Sequence, residues 1–139
     1  MGRILGVDLG TRRIGLAVSD PSGVIASPLR VIERRGDPDA DRAAILAAAR
    51  EAEAERIVVG LPTELSGRAG PAARTARAEV EALRAAAPDL PVVLVDERLT
   101  TVIAERSLVQ AGVRRKDRRA KVDKVAAAVI LQSYLDRER

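Results

Sequence analysis

Ile4 to Asp8 is a short apolar run that stops at Leu9-Gly10-Thr11, and Ile14, Leu16 and Val18 then alternate with Gly15, Ala17 and Ser19 as far as Asp20-Pro21-Ser22-Gly23. Such runs bounded by turn residues predict two strands joined by a tight turn. Val24 to Ile32 adds further β-branched residues and predicts a third antiparallel strand. Pro28 within it has no N–H to donate, which favours an edge position. Beyond Gly36-Asp37-Pro38, residues 39–54 are Ala-rich, with Ala43, Leu46, Ala47 and Arg50 at helical spacing. Ile57 to Leu61 reads as a fourth strand ended by Pro62, residues 71–86 as a second helix with Pro71 in its first turn, and Val92 to Val95 as a fifth strand. Thr100 to Gln110 predicts a third helix with Gly112 just past its end, and Val122 to Leu135 a fourth, strongly apolar one. A basic segment connects these two helices.

Three strands followed by helix, strand, helix, strand and two helices is a mixed-sheet α/β pattern, because helical crossovers make the later strands parallel. Nothing in the chain reads as a repeat or a domain linker, and 139 residues suit one domain over 1–139. The longest irregular stretch is Leu61 to Gly70, and loops of that length in compact domains are often functional.

Composition then removes whole classes of chemistry. With no Cys and no His, thiolate and imidazole metal sites, Cys nucleophiles and His-based triads are excluded, so catalysis must run on carboxylates, hydroxyls, Lys, Arg or backbone. Tyr134 is the only aromatic residue, so no base-stacking platform can be built and any nucleic acid would be read through shape and phosphates. The net charge of +4 is concentrated: Arg114 to Lys124 holds seven basic residues against Asp117 and Asp123, leaving the rest near neutral. No signal-peptide core precedes Asp8 and no run reaches membrane-spanning length, which predicts a cytoplasmic protein with no membrane partner.

Three groups of acids stand out. Asp8 ends the first strand beside Gly6 and Gly10, where bare backbone admits a phosphate-bearing ligand or a hard cation; the alternative is that it opens a turn. Asp-x-Gly-Thr also occurs in the phosphate hairpins of two-lobed sugar kinases and actin-like ATPases, but 139 residues cannot supply a second lobe. Asp96-Glu97-Arg98 emerges at the carboxyl end of a parallel strand, where ligands of open α/β sheets collect. Alternation sends Asp96 and Glu97 to opposite faces, so at most one joins Asp8, unless both simply pair with Arg98. Asp123 begins the last helix, where it either complements the helix dipole or, between Lys121 and Lys124, stands beside an anionic substrate. Acids on three elements without His or Cys suit Mg²⁺-type phosphoryl chemistry, since Mg²⁺ takes oxygen ligands. The loop from Gly60 to Pro71 has no Lys and so is not a Walker A loop, yet its helix N-terminus with Arg68 and Arg74 nearby can hold a phosphate.

The run Gly6-Val7-Asp8-Leu9-Gly10-Thr11-Arg12-Arg13-Ile14-Gly15-Leu16-Ala17, the Val59-Gly60-Leu61-Pro62 loop with Gly67, Asp96-Glu97-Arg98-Leu99-Thr100-Thr101, and Asp123-Lys124 followed by Ile130-Leu131-Gln132-Ser133-Tyr134-Leu135 resemble the YqgF family. These ribonuclease H-like bacterial proteins are associated with Holliday junction resolution and with 5′-end maturation of 16S rRNA. The resemblance covers nearly the whole chain. It implies a ribonuclease H-like fold with a five-stranded mixed sheet, and a nuclease acting on structured RNA, branched DNA or both. It implies a site of Asp8, Glu97 and Asp123 holding two Mg²⁺ or Mn²⁺ ions, and so selects Glu97 from the acid pair. Arg12, Arg13, Arg68, Arg98, Arg114, Arg115, Lys116, Arg118, Arg119 and Lys121 are then the expected nucleic-acid contacts, the connector gripping phosphates and being mobile when empty. A homodimer is left open. One departure is Ile103, where the family often has an acid. The competing expectation is a catalytically silent nucleic-acid-binding or ribosome-assembly protein that keeps the fold.

Overall fold

The computed structural model describes the backbone of residues 2–10, 12–61, 71–96 and 115–138, and the side chains of residues 2–10, 12–60, 74–95 and 125–138. Among the described residues five strands and three helices follow one another: β1 (Arg3–Leu9), β2 (Arg13–Ser19), β3 (Ala26–Glu33), α1 (Pro38–Glu51), β4 (Ala54–Leu61), α2 (Pro71–Ala86), β5 (Val92–Asp96) and α3 (Arg115–Arg137). The predicted helix over 100–110 lies outside the described residues.

The strands form one sheet in the order β3-β2-β1-β4-β5. β1 and β3 each pair antiparallel with β2, whereas β4 pairs parallel with β1 and with β5. β1 lies at the centre because both of its faces can be covered, and Ile4 through Asp8 are all buried. β3, with Pro28, takes the edge that its sequence predicts. Helices cover both faces. On one, Leu5, Val7, Ile14, Leu16, Ile57 and Val59 pack against Ile45 and Leu46 of α1 and Val80 and Leu83 of α2. On the other, Ile4, Ala17 and Val58 pack against Ala127, Ile130, Leu131, Tyr134 and Leu135 of α3.

Several element bounds and one helix face differ from the sequence expectation. α1 starts at Pro38, where Asp37 caps it by accepting from the Asp39 and Ala40 N–H groups at 3.0 and 3.3 Å. It ends at Glu51 rather than 54, because Glu53 adopts a left-handed φ of 55° and its N–H donates back to Arg50 O at 3.0 Å. β4 accordingly starts at Ala54. The buried face of α1 carries Asp41, Ile45, Leu46, Ala48 and Ala49, while Ala43, Ala47 and Arg50 are exposed. In a run of alanines the two large residues, Ile45 and Leu46, decide the orientation. α3 begins at Arg115, seven residues before the expected Val122, so the basic stretch 115–121 is helix and not a loop. Arg, Lys and Ala are good helix formers, and none of the residues 115–121 is a Gly or Pro that would stop the helix extending. Among the described residues no helix is long and apolar enough to cross a membrane.

The β2–β3 turn is organised by Asp20, which accepts from the N–H groups of Val24 and Ile25, each at 2.8 Å, and from the Ser22 N–H and hydroxyl. The Ile25 N–H first, then the Ser22 hydroxyl and Val24 N–H, hold its carboxyl well below its ordinary pKa of 3.8. Because the folded-state pKa is the lower one, the carboxylate stabilises the fold above the unfolded value and this contribution is lost as pH falls below it. The stability gap between the protein and its Asp20→Asn variant is therefore expected to be constant at neutral pH and to shrink below about pH 4. Urea titrations at pH 7, 4 and 3 measure it, and a gap that widens in acid contradicts this role.

Candidate functional site

β1, β3, β4 and β5 run in one direction, so their carboxyl ends share a single sheet edge with the start of β2. From one side to the other this edge presents Glu33 and Arg34 at the end of β3, Arg12 and Arg13 at the β1–β2 turn, Asp8 on β1, Leu61 on β4 and Asp96 on β5. Asp8 and Asp96 thus end strands that are two positions apart, about 10 Å by strand spacing.

Asp8 is a buried carboxylate, 8% exposed. Alternation along β1 puts it on the same face as Ile4 and Gly6, the face covered by α3. Its lateral neighbours on that face are glycines. Gly15 stands directly opposite it on β2, and Gly60 follows Val59, the partner of Val7, on β4. Neither carries a side chain, so the Asp8 carboxylate is not crowded from the adjacent strands.

Gly6 sets how closely α3 approaches. A Cβ there would lie 2.8 Å from Leu131 Cβ and 3.1 Å from Ala127 O, so the helix sits directly on the β1 backbone. Farther along α3, the Tyr134 hydroxyl accepts from Arg56 Nη1, and Arg56 pairs in register with Ile4. Gln132 fastens the same helix to the β2–β3 turn, donating to Val24 O and accepting from the Ala26 N–H, each at 2.9 Å. Tyr134 near Ile4 and Ala127 near Gly6 mean that α3 runs antiparallel to β1, with its N-terminal end toward the edge that bears Asp8. Residue 123 is one helical turn beyond Ala127, about 6 Å, and Asp8 is two strand residues beyond Gly6, about 7 Å.

The turn after Asp8 is equally constrained. The Gly10 N–H donates to Arg13 O at 2.9 Å, and an added Cβ would come within 2.5 Å of that oxygen. Since the obstacle is backbone, this position requires glycine.

Of the charged residues singled out from sequence, the structure describes Asp8, Arg12, Arg13 and Arg74 in full, Arg74 being exposed in the first turn of α2. Arg12 is exposed, and Arg13 Nε is ion-paired with Glu33 Oε1 at 2.9 Å across β2 and β3. Arg115, Lys116, Arg118, Arg119, Lys121 and Asp123 have described backbone within α3; Asp123 is its ninth residue and not its first, which removes the helix-dipole explanation. Glu97, Arg68, Arg98 and Arg114 lie outside the described residues. Among the described residues no three metal-ligating side chains gather. Gly15, Gly60 and Arg34 went unassigned in the sequence; glycine at interior strand positions was the available signal for the first two.

A family model described as "RuvX: Holliday junction resolvase" matches residues 2–137. Proteins called "Putative pre-16S rRNA nuclease" are similar over nearly the whole chain. One from Mycobacterium sp. strain KMS is 48% identical over 99% of this chain and 82% of its own length, and one from Kineococcus radiotolerans is 51% identical over 97% and 72%. Among solved structures, Thermus thermophilus RuvC in complex with a Holliday junction substrate superposes with a TM-score of 0.60 at 16% identity, covering 99% of this chain and 96% of that one. The yeast mitochondrial Holliday junction resolvase Ydc2 gives 0.56 at 14% identity, over 95% and 77%. At such identities these two show a shared fold, the resolvase-type ribonuclease H-like architecture.

Proposed function

We propose, given that this chain belongs to the RuvX family whose model spans residues 2–137, that it is a metal-dependent nuclease cleaving phosphodiester bonds in structured nucleic acid. The observation that carries this reading is the buried Asp8 at the carboxyl edge of the sheet, uncrowded by Gly15 and Gly60, with the part of α3 before Ala127 extending toward it. The relatives at 48 to 51% identity bear the pre-16S rRNA nuclease name, whereas the resolvase structures support the fold only. Maturation of the 5′ end of a 16S rRNA precursor is therefore the favoured activity, with resolution of branched DNA as the related one.

Asp8, Glu97 and Asp123 are the residues that would hold divalent ions. An all-carboxylate donor set in a chain without Cys or His fits Mg²⁺ or Mn²⁺ and not a thiolate-loving metal. Two such ions, when bound, supply Lewis acidity that activates a water and stabilises the leaving oxygen. Asp8, on the central strand, is the fixed anchor of the set. Val93 and Val95 of β5 pack on the α3 side of the sheet, and the next position of that parity is residue 97, which supports Glu97 over Asp96 as the partner of Asp8. Residue 123 closes the set from the helix. The arginines and lysines at 115–121, about half a turn to two turns before Asp123 on the same helix, would hold the flanking phosphates.

The test is purified protein with Mg²⁺ or Mn²⁺ against a 5′-extended 16S precursor, a four-way DNA junction and plain duplex. Cleavage of a structured substrate that EDTA abolishes is expected, with Glu97→Gln more damaging than Asp96→Asn. The reverse order reassigns the second acid. Binding without any metal-dependent cleavage makes the chain a silent binding protein that keeps the fold.

A further inference from the structure

The cleft on the other flank of Asp8 lies at the same sheet edge, between the β1–β2 turn and the start of α1. It measures about 400 Å³ and is lined by Arg12, Glu33, Arg34, Gly36, Pro38 and Asp41. Arg34 and Arg35 follow β3 directly, and the Arg34 N–H donates to Arg12 O at 2.9 Å, which ties the end of β3 to the turn that follows Asp8. Four arginines, 12, 13, 34 and 35, thus gather within two strand positions of the buried carboxylate, about 10 Å.

The acids in this cleft do not neutralise all four. Glu33 is taken by Arg13 at 2.9 Å, and Asp41 lies a long 3.8 Å from Arg34 Nη1. Arg34 Nε is buried with no hydrogen-bond partner among the described residues, so the guanidinium is only partly satisfied. Arg12 and Arg35 are exposed, and no ion pair among the described residues engages either. Two exposed arginines without ion pairs among the described residues, Arg12 hydrogen-bonded through its carbonyl to Arg34 and Arg35 next to it in the chain, beside a half-satisfied one form a set that a chain of phosphates neutralises, since guanidinium presents a planar fork to phosphate oxygens.

We propose that Arg12, Arg34 and Arg35 form a phosphate track that grips the nucleic-acid backbone where it leaves the Asp8 site across the β1–β2 turn, on the side opposite the basic start of α3. The track gives sequence-independent affinity and orients the strand so that one phosphodiester reaches Asp8. This assignment rests on the nuclease reading for its substrate, but its test is a binding measurement that does not depend on cleavage.

Affinity for a 5′-extended 16S precursor hairpin and for a four-way DNA junction is measured in EDTA over a salt series. The Arg12→Gln/Arg35→Gln variant is expected to lower the slope of log affinity against log salt by about 1.4 to 1.8, two phosphate contacts at about 0.7 to 0.9 each. Arg34→Lys keeps the charge but loses the fork, so it is expected to weaken binding several-fold with the slope preserved. Arg50→Gln, an exposed arginine in the last turn of α1 at the opposite edge, removes one charge from the same protein and is expected to leave the slope as it was. An unchanged slope in the double variant overturns the track, and so does an equal fall per charge in Arg50→Gln, which would mean that only net charge matters. A protein that binds neither substrate at low salt also overturns it. Binding with the expected slopes but no cleavage in Mg²⁺ sinks the nuclease reading and leaves the track standing.

Discussion

Asp8→Asn is expected to reduce metal-dependent cleavage about a thousandfold while leaving the protein folded. The amide preserves the shape of the carboxylate on β1, so packing against the α3 layer is retained. What disappears is the negative charge that would hold a divalent ion, and metal assistance is worth several kcal/mol of transition-state stabilisation, where each 1.36 kcal/mol is about tenfold in rate. Asp8 is 8% exposed, and Asn is nearly isosteric with it, so the variant is expected to remain folded under assay conditions. Lost activity in a variant that stays folded distinguishes a functional carboxylate from a structural one. A variant that cleaves normally, or one that loses activity only because it unfolds, contradicts the assignment.

Gly6→Ala is the second large effect. The added methyl would meet Leu131 Cβ at 2.8 Å and Ala127 O at 3.1 Å, against an ordinary carbon–carbon contact of about 3.5 to 4.0 Å. Leu131 is fully buried, so α3 must shift away from β1 rather than the side chain swing aside. Overpacking of this kind costs about 1 to 3 kcal/mol. The displacement is also expected to separate residue 123 from Asp8, and a misplacement near 1 Å can cost about 10²-fold in rate. Adding Leu131→Gly removes the nearer obstacle, the Leu131 Cβ itself, so Gly6→Ala is expected to cost less in that background than in the native one, a coupling of about 0.5 to 3 kcal/mol. Denaturant titration of the four proteins measures the coupling, and parallel cleavage assays show whether activity follows the helix position. Additive stabilities would mean that Gly6 and Leu131 do not set the gap between β1 and α3.

Much of the architecture is legible in the chain because the physics is local. Period-two alternation over Ile14 to Ser19, the turn at Asp20 to Gly23, Pro28 in an edge strand and Pro71 at the first position of α2 each act through a few neighbouring residues. The end of α1 was not legible, since the left-handed residue there is Glu53 and not the glycine that would mark such a stop. Nor was the start of α3, because a run of charge suggests a connector while its individual residues favour helix.

The sequence by itself determined the absence of thiolate and imidazole chemistry, the order of the described elements, the mixed sheet and the placement of Asp8 at a strand end, since composition and short-range periodicity suffice for each. Tertiary structure alone decided what surrounds Asp8. That Gly15 and Gly60 flank it depends on the registers of β1 with β2 and with β4, which bring together residues far apart in the chain. That α3 and not α1 covers its face depends on which side of the sheet each crossover packs. The cleft that joins Arg12 to Arg34 exists only because β3 ends at the same edge where β1 turns into β2, a meeting of chain segments that no local pattern encodes.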